Sequence, residues 1–143
     1  MRVIFVCTGN TCRSPMAQAL LQSLAEKKYP GLSAESAGLF ASAGQPVSEN
    51  AVRVLAERFH IPRFFHSARP LTREMIATAD LVIGMTEGHR RMMEEKFGKN
   101  EKFIAFPVDV GDPFGGSTEV YEKTALAIVK GMEILFEKGL FHD

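Results

Sequence analysis

Val3-Ile4-Phe5-Val6-Cys7-Thr8-Gly9-Asn10-Thr11-Cys12-Arg13-Ser14-Pro15 runs from an apolar stretch into a polar loop and out through a helix start. The continuous apolar run over residues 3–7 is the mark of a strand buried on both faces. Ser14 and Pro15 are a cap residue and a favoured first helical residue. Met16, Leu20, Leu21 and Leu24 then recur at helical spacing until Gly31 interrupts them.

The same alternation continues outward. Residues 32–37 form a weaker strand ending at Gly38, and residues 39–47 are a loop rich in Ala, Ser, Gly and Pro. Ser48 opens a helix with Val52, Leu55 and Phe59 on one face, and residues 71–79 form a short helix with Thr72 as cap. Residues 81–85 are a second buried strand, Thr86 caps a helix that runs to Phe97, and Gly98 stops it. Residues 103–106 form a third clear apolar run, followed by a long loop over 107–117. A last helix starts near Thr118, with Val120, Ala127, Ile128, Gly131, Met132 and Leu135 on one stripe. Strands alternating with helices imply a parallel sheet covered on both faces, with ligands outside the carboxyl ends of the strands. Residues 7–10, Met85-Thr86 and the 107–117 loop all follow strands and converge on one site in such a fold.

The 143 residues match one domain spanning 1–143. Lys plus Arg and Asp plus Glu both number 17, so the basic surplus of a nucleic-acid binder is absent. No apolar run approaches a bilayer span, and the short N-terminal apolar run does not read as a signal peptide. The expectation is a cytoplasmic enzyme or binding domain. Cys7 and Cys12 are too few for a disulfide scaffold and lack the partners of a zinc site. Two thiols so close in an intracellular chain point to nucleophilic or redox chemistry.

The first loop is suited to a doubly charged oxyanion. A short loop containing Gly9 can curl so that successive backbone N–H groups, including those of Thr8 and Thr11, face inward as an anion nest. The helix N-terminus adds a positive dipole end, and Arg13 adds a planar fork of donors. A Cys7 thiol in that setting is favoured as thiolate, a nucleophile for phosphorus. Ser14 can donate a hydrogen bond to it, and Asn10 tolerates the left-handed backbone that the curl needs. The leaving group needs a proton, for which the 107–117 loop offers Asp109 and Asp112. Phe114 can line a substrate slot or simply pack beneath the loop.

Cys-x5-Arg-Ser-Pro directly after an N-terminal strand, with a late Asp112-Pro113-Phe114, resembles the low-molecular-weight protein tyrosine phosphatase family over nearly the whole chain. The resemblance implies a single three-layer α/β domain: a four-stranded parallel sheet flanked by helices, with the phosphate-binding loop after the first strand. It implies Cys7 as nucleophile, Arg13 as phosphate clamp and Asp112 as general acid, and neither metal nor cofactor. Thr11 stands where the family commonly carries a bulky aliphatic residue, and Phe114-Gly115-Gly116-Ser117 stands where many members carry tyrosines. Both departures resemble the protein-arginine phosphatase branch. A Thr hydroxyl suits a polar guanidinium, whereas Ile there favours a phenyl ring. Asp112 can pair with that guanidinium, and Phe114 can stack on it.

Cys12, inside the phosphate loop, suggests a reversible Cys7–Cys12 disulfide that protects the nucleophile, a reading that the resemblance supports. Its alternative is a small buried apolar residue. The expected partners are phosphorylated proteins carrying phosphoarginine or phosphotyrosine, with no nucleic acid or membrane, and the expected state is a monomer. Arg53, Arg58, Arg63, Arg69 and Arg73 read as a solvated face. His89 and His142 read as exposed, and Met85, Met92, Met93 and Met132 as core. Three other functions compete: a thiol-dependent arsenate reductase, which needs more cysteines; a phosphocysteine carrier, in which Arg13 and Asp112 are out of place; and a flavin module, which has no need of Cys7.

Overall fold

The computed structural model describes residues 1–143. Four strands form one parallel sheet: β1 (Arg2–Cys7), β2 (Ser33–Gly38), β3 (Leu81–Gly84) and β4 (Phe103–Ala105). Their order is β2-β1-β3-β4. Five helices connect and follow them: α1 (Arg13–Ala25), α2 (Glu49–Phe59), α3 (Arg73–Thr78), α4 (Glu87–Phe97) and α5 (Thr118–Glu137).

The central strand explains the layering. Val3, Ile4, Phe5 and Val6 are all fully buried, and a side chain so buried contributes about 1.5–3 kcal/mol. Alternate residues face opposite ways along a strand. Val3, Phe5 and Cys7 join the apolar layer with Met16, Leu21, Leu55, Ile128 and Met132, from α1, α2 and α5. Ile4 and Val6 join the opposite layer with Met75, Ile76 and Met93, from α3 and α4. β1 pairs with β2 on one side and β3 on the other, so the chain reverses its direction of travel across the sheet beside β1. A crevice forms at the carboxyl end of such a switch point, and Cys7 ends the strand there.

Several local expectations shift. The residue at the α1 N-cap is Cys12, without a side-chain cap bond, and Ser14 lies inside the first turn with its hydroxyl turned back to the loop. Ser117 caps α5 by accepting from the Val120 backbone N–H at 3.4 Å. The α1 stripe passes from Leu20 and Leu21 to Ala25, which leaves Leu24 exposed. Met92 and Val120 are exposed too; Met93 and Tyr121, one position further round each helix, take the inward places. The 103–106 run stops as a strand at Ala105, and Phe106 enters the core edge-on to Phe5. No helix is long and apolar enough to cross a membrane.

Candidate active site

The loop after β1 is held from behind. Backbone N–H groups of Leu39 and Phe40 donate to the Cys7 and Thr8 carbonyls at 2.9 Å, and that of Ser48 donates to the Thr11 carbonyl at 2.9 Å. The Asn10 carbonyl meets His66 Nε2 at 2.9 Å. With these carbonyls tied outward, the N–H groups of Gly9, Asn10, Thr11 and Cys12 donate to no backbone carbonyl. That is the geometry of an anion nest. Asn10, not Gly9, takes the left-handed turn, at φ 57. Its fully buried side chain donates from Nδ2 to Ser14 Oγ at 2.8 Å and accepts the Arg69 backbone N–H at 3.1 Å. Gly38 permits the close approach: a Cβ there would lie 2.6 Å from the Thr8 carbonyl oxygen.

Cys7 Sγ lies 2.9 Å from Ser14 Oγ. Asn10 already donates to that oxygen; either partner of the sulfur–oxygen pair can donate while Cys7 is a thiol, but a thiolate can only accept the Ser14 proton. The Ala37 carbonyl, 3.4 Å away, is the other acceptor open to the Ser14 hydroxyl. Ser14 can thus stabilise a thiolate by a charge-assisted hydrogen bond.

The buried Arg13 guanidinium donates from Nη1 to the Val110 carbonyl at 3.0 Å and from Nη2 to Thr8 Oγ1 at 3.5 Å. Asp112 Oδ2 lies 3.8 Å from Nη2. Asp112 Oδ1 accepts the Phe114 backbone N–H at 3.1 Å, which orients the carboxyl. Cys7, Arg13 and Asp112 line one cavity of ≈ 210 Å³, together with Thr8, Gly9, Thr11, Cys12, Gln45 and Phe114. A thiol, a guanidinium and a carboxyl around one small cavity can carry out displacement at phosphorus. A second groove of ≈ 490 Å³, over Pro46, Ser48 and Tyr121, shares Thr11, Gln45 and Phe114 with it. No group of three or more His, Cys, Asp or Glu side chains forms a metal cluster.

The model of the low molecular weight phosphotyrosine protein phosphatase family matches residues 2–140. The chain belongs to this family. A protein-arginine-phosphatase of Bacillus subtilis is 43% identical over 132 residues, 87% of each chain. A low molecular weight protein-tyrosine-phosphatase, PtpB, of Staphylococcus epidermidis is 32% identical over 140 residues, 87% of this chain and 88% of its own. Among solved structures, the arginine phosphatase YwlE, with cysteine replaced by a phosphorylated active-site serine, superposes with a TM-score of 0.88 at 39% identity. The match covers 96% of this chain and 95% of that one.

In this phosphatase Asn10 and Ser14 stand behind the loop rather than in the cavity wall. Asp109 does not line the cavity, whereas Asp112 does. Phe114 is 71% exposed, at the rim, so it does not pack beneath the loop. His89, expected at the surface, is only 5% exposed. It sits in the first turn of α4, whose capping draws its ring inward: Nδ1 is 2.8 Å from Thr86 Oγ1 and Nε2 3.0 Å from Thr8 Oγ1. Burial, reinforced by the Arg13 charge, pushes its pKa down to about 4. Three of the five arginines in the basic stretch pair with carboxylates, Arg58 with Glu122, Arg63 with Glu49 and Arg69 with Glu35, as a solvated face does.

Sequence reasoning also missed Tyr121 and His66. Tyr121 Oη lies 3.2 Å from Cys12 Sγ and accepts from Ser48 Oγ at 2.9 Å. Burial pushes the Cys12 thiol up, against the lowering effect of its hydrogen bonds to Tyr121 and Thr11. Burial, with Cys12 adding to it, raises Tyr121 to about 12. Both cysteines are free. The one local signal for His89 was its place three residues after the cap Thr86, whose hydroxyl accepts its backbone N–H; nothing local marked the other two.

Proposed function

We propose that this phosphatase hydrolyses phosphoarginine in proteins through a phosphocysteine intermediate, with Cys7 as nucleophile, Arg13 as clamp and Asp112 as acid and base. The phosphoryl oxygens enter the nest formed by Thr8, Gly9, Asn10, Thr11 and Cys12, and meet the free donors of Arg13. The Cys7 thiolate attacks phosphorus, the P–N bond breaks, and protonated Asp112 gives its proton to the departing guanidine nitrogen. Water then attacks the phosphocysteine, Asp112 takes its proton, and the S–P electron pair returns to Cys7 as inorganic phosphate leaves. Three elements of one chain line the cavity, so a monomer suffices. Two free thiols suit a reducing cytoplasm.

Thr11 carries the choice of substrate. It is 9% exposed and belongs to both the cavity and the groove beside it. Its hydroxyl offers a leaving guanidinium a hydrogen-bonding wall, where an aliphatic side chain would offer only apolar surface. The relative at 43% identity carries the arginine-phosphatase name. The second reading is phosphotyrosine, favoured by the tyrosine-phosphatase name of relatives at 32% identity. The carrier reading is disfavoured by Asp112 in the cavity wall, because a carrier must not activate water. For Cys12 we propose resolution of oxidised Cys7: peroxide converts the thiolate to a sulfenic acid, and the Cys12 thiol condenses with it to a disulfide, releasing water.

Phosphoarginine and phosphotyrosine peptides, offered to the parent, Cys7→Ser and Thr11→Ile, test this. The parent is expected to prefer phosphoarginine, and Cys7→Ser to lose activity by on the order of 10⁴-fold or more. Thr11→Ile should shift the ratio of kcat/KM values toward phosphotyrosine by about tenfold or more. A parent preference for phosphotyrosine would establish the second reading instead.

A further inference from the structure

Thr8 is the exposed member of the phosphate loop, and an exposed threonine with no partner turns freely among rotamers. Here it is not free. Its Oγ1 is held at 3.0 Å by His89 Nε2, from α4, 81 positions away in the chain. The other ring nitrogen is fixed at 2.8 Å to Thr86 Oγ1, the α4 cap, which also accepts the His89 backbone N–H at 3.2 Å. Helix capping accounts for the Nδ1 contact. It does not call for the Nε2 contact, which reaches out of the helix to the loop.

The reach depends on Gly84 at the end of β3. A Cβ there would lie 3.0 Å from His89 Cβ and 2.7 Å from the Arg90 backbone nitrogen. Without that side chain, the first turn of α4 rests against the strand end, and the ring arrives beside the loop. Beyond Thr8 the chain of contacts continues. Arg13 has donors only, so its Nη2 donates to Thr8 Oγ1, at 3.5 Å. Its Nη1 is anchored on the Val110 carbonyl. The guanidinium plane is therefore set from two sides, by a carbonyl and by a hydroxyl that His89 holds. His89 lines no part of the cavity.

We propose that His89 is a positioning residue for the phosphate clamp: through Thr8 it holds the Arg13 guanidinium in the orientation that receives an oxyanion. The proposal rests on the reading of Arg13 as the clamp, but not on phosphoarginine as the substrate. A neutral ring serves it, and the burial of His89 beside the Arg13 charge keeps the ring neutral. Thr8, with two donors directed at its oxygen when Nε2 carries the ring proton, has its own O–H left to give to a phosphoryl oxygen.

The test uses the full chain with p-nitrophenyl phosphate as substrate and inorganic vanadate as inhibitor. His89→Ala is expected to weaken vanadate inhibition and lower kcat/KM by about tenfold each. Thr8→Val, which also removes a hydroxyl that can reach the phosphoryl group, should lose at least that factor, and the double variant should be no worse than Thr8→Val alone, because His89 acts only through Thr8. The rate of Cys7 alkylation by iodoacetamide, which is neutral and does not need the clamp, should stay at the parent value, since Cys7 leans on Ser14; a general loosening of the loop would change it. If His89→Ala does not fold, His89→Gln with Thr8→Val gives the same cycle. A folded His89→Ala with vanadate inhibition and kcat/KM within about twofold of the parent, or losses that multiply in the double variant, would overturn the proposal. Arg13→Lys separates the two layers. If it abolishes vanadate inhibition while His89→Ala changes nothing, only the His89 proposal falls; if it leaves inhibition intact, the clamp reading falls and takes the His89 proposal with it.

Discussion

Residues 7–14 and residues 107–117 face each other across the cavity, but they are held in opposite ways. The first are buried apart from Thr8 and Gly9, and their carbonyls are bonded outward to Leu39 and Phe40 just after β2, to Ser48 just before α2 and to His66. The second stand mostly in water: the Asp112 side chain is 55% exposed and Phe114 is 71% exposed. An oxyanion is recognised by fixed dipoles, whose value lies in not having to reorganise. A proton donor that must also admit water cannot be sealed in the same way. In the proposed mechanism, the loop assigned to binding charge is therefore part of the core, and the loop assigned to moving protons is a projection from it.

The sharpest test of that division is Asp112→Asn. It should lower kcat by about 10²–10³-fold and leave both thermal stability and Cys7 alkylation at parent values. An equal loss in alkylation would mean that the two loops are not separable. Asn10→Ala strikes the other side. It removes two hydrogen bonds from a fully buried side chain and asks alanine to take a left-handed backbone. A cost of about 2–4 kcal/mol in urea unfolding is expected; a cost below about 1 kcal/mol would show that His66 and Ser48, bonded to the Asn10 and Thr11 carbonyls, hold the loop without it.

A smaller effect lies in pH. His89 titrates near 6.5 in the unfolded chain and is pushed down to about 4 in the folded one. Between those values the unfolded state binds the extra proton, so stability rises with pH across the window and falls as acid is added, levelling off below about 4. His66 is lowered in the same direction, by burial first. His89→Gln should remove on the order of 1–3 kcal/mol of the stability change between pH 7 and pH 4. An unchanged slope would place the titration elsewhere, in His66 or in the carboxylate of Glu35, which Arg2 holds low.

Elements with strong periodicity were legible: β1 and β3 as apolar runs, and α4 from Thr86 to Gly98. The helix faces were less so. Leu24, Met92 and Val120 fit their stripes and yet lie in water, because a stripe says which side of a helix is apolar and not how far the sheet beneath it extends. Cys7, Arg13 and Asp112 stood out as candidates because a nucleophile, a clamp and an acid each need a particular residue type at a loop position. His89 did not, since one histidine looks like another until its neighbours are known.

By itself the sequence determined the order of strands and helices along the chain, the polar loop after the first strand and the candidate reactive residues in it. These depend on neighbours within a few positions, which period and composition encode. Only the tertiary structure decided that Asp112 rather than Asp109 borders the cavity, that Ser14 lies inside the first helical turn instead of capping it, and that Gly38 and Gly84 are places of close approach. It also joined Thr8 to His89 and Cys12 to Tyr121, pairs 81 and 109 positions apart. Contacts at such separations are set by how the sheet brings its loops together, and no local pattern records them.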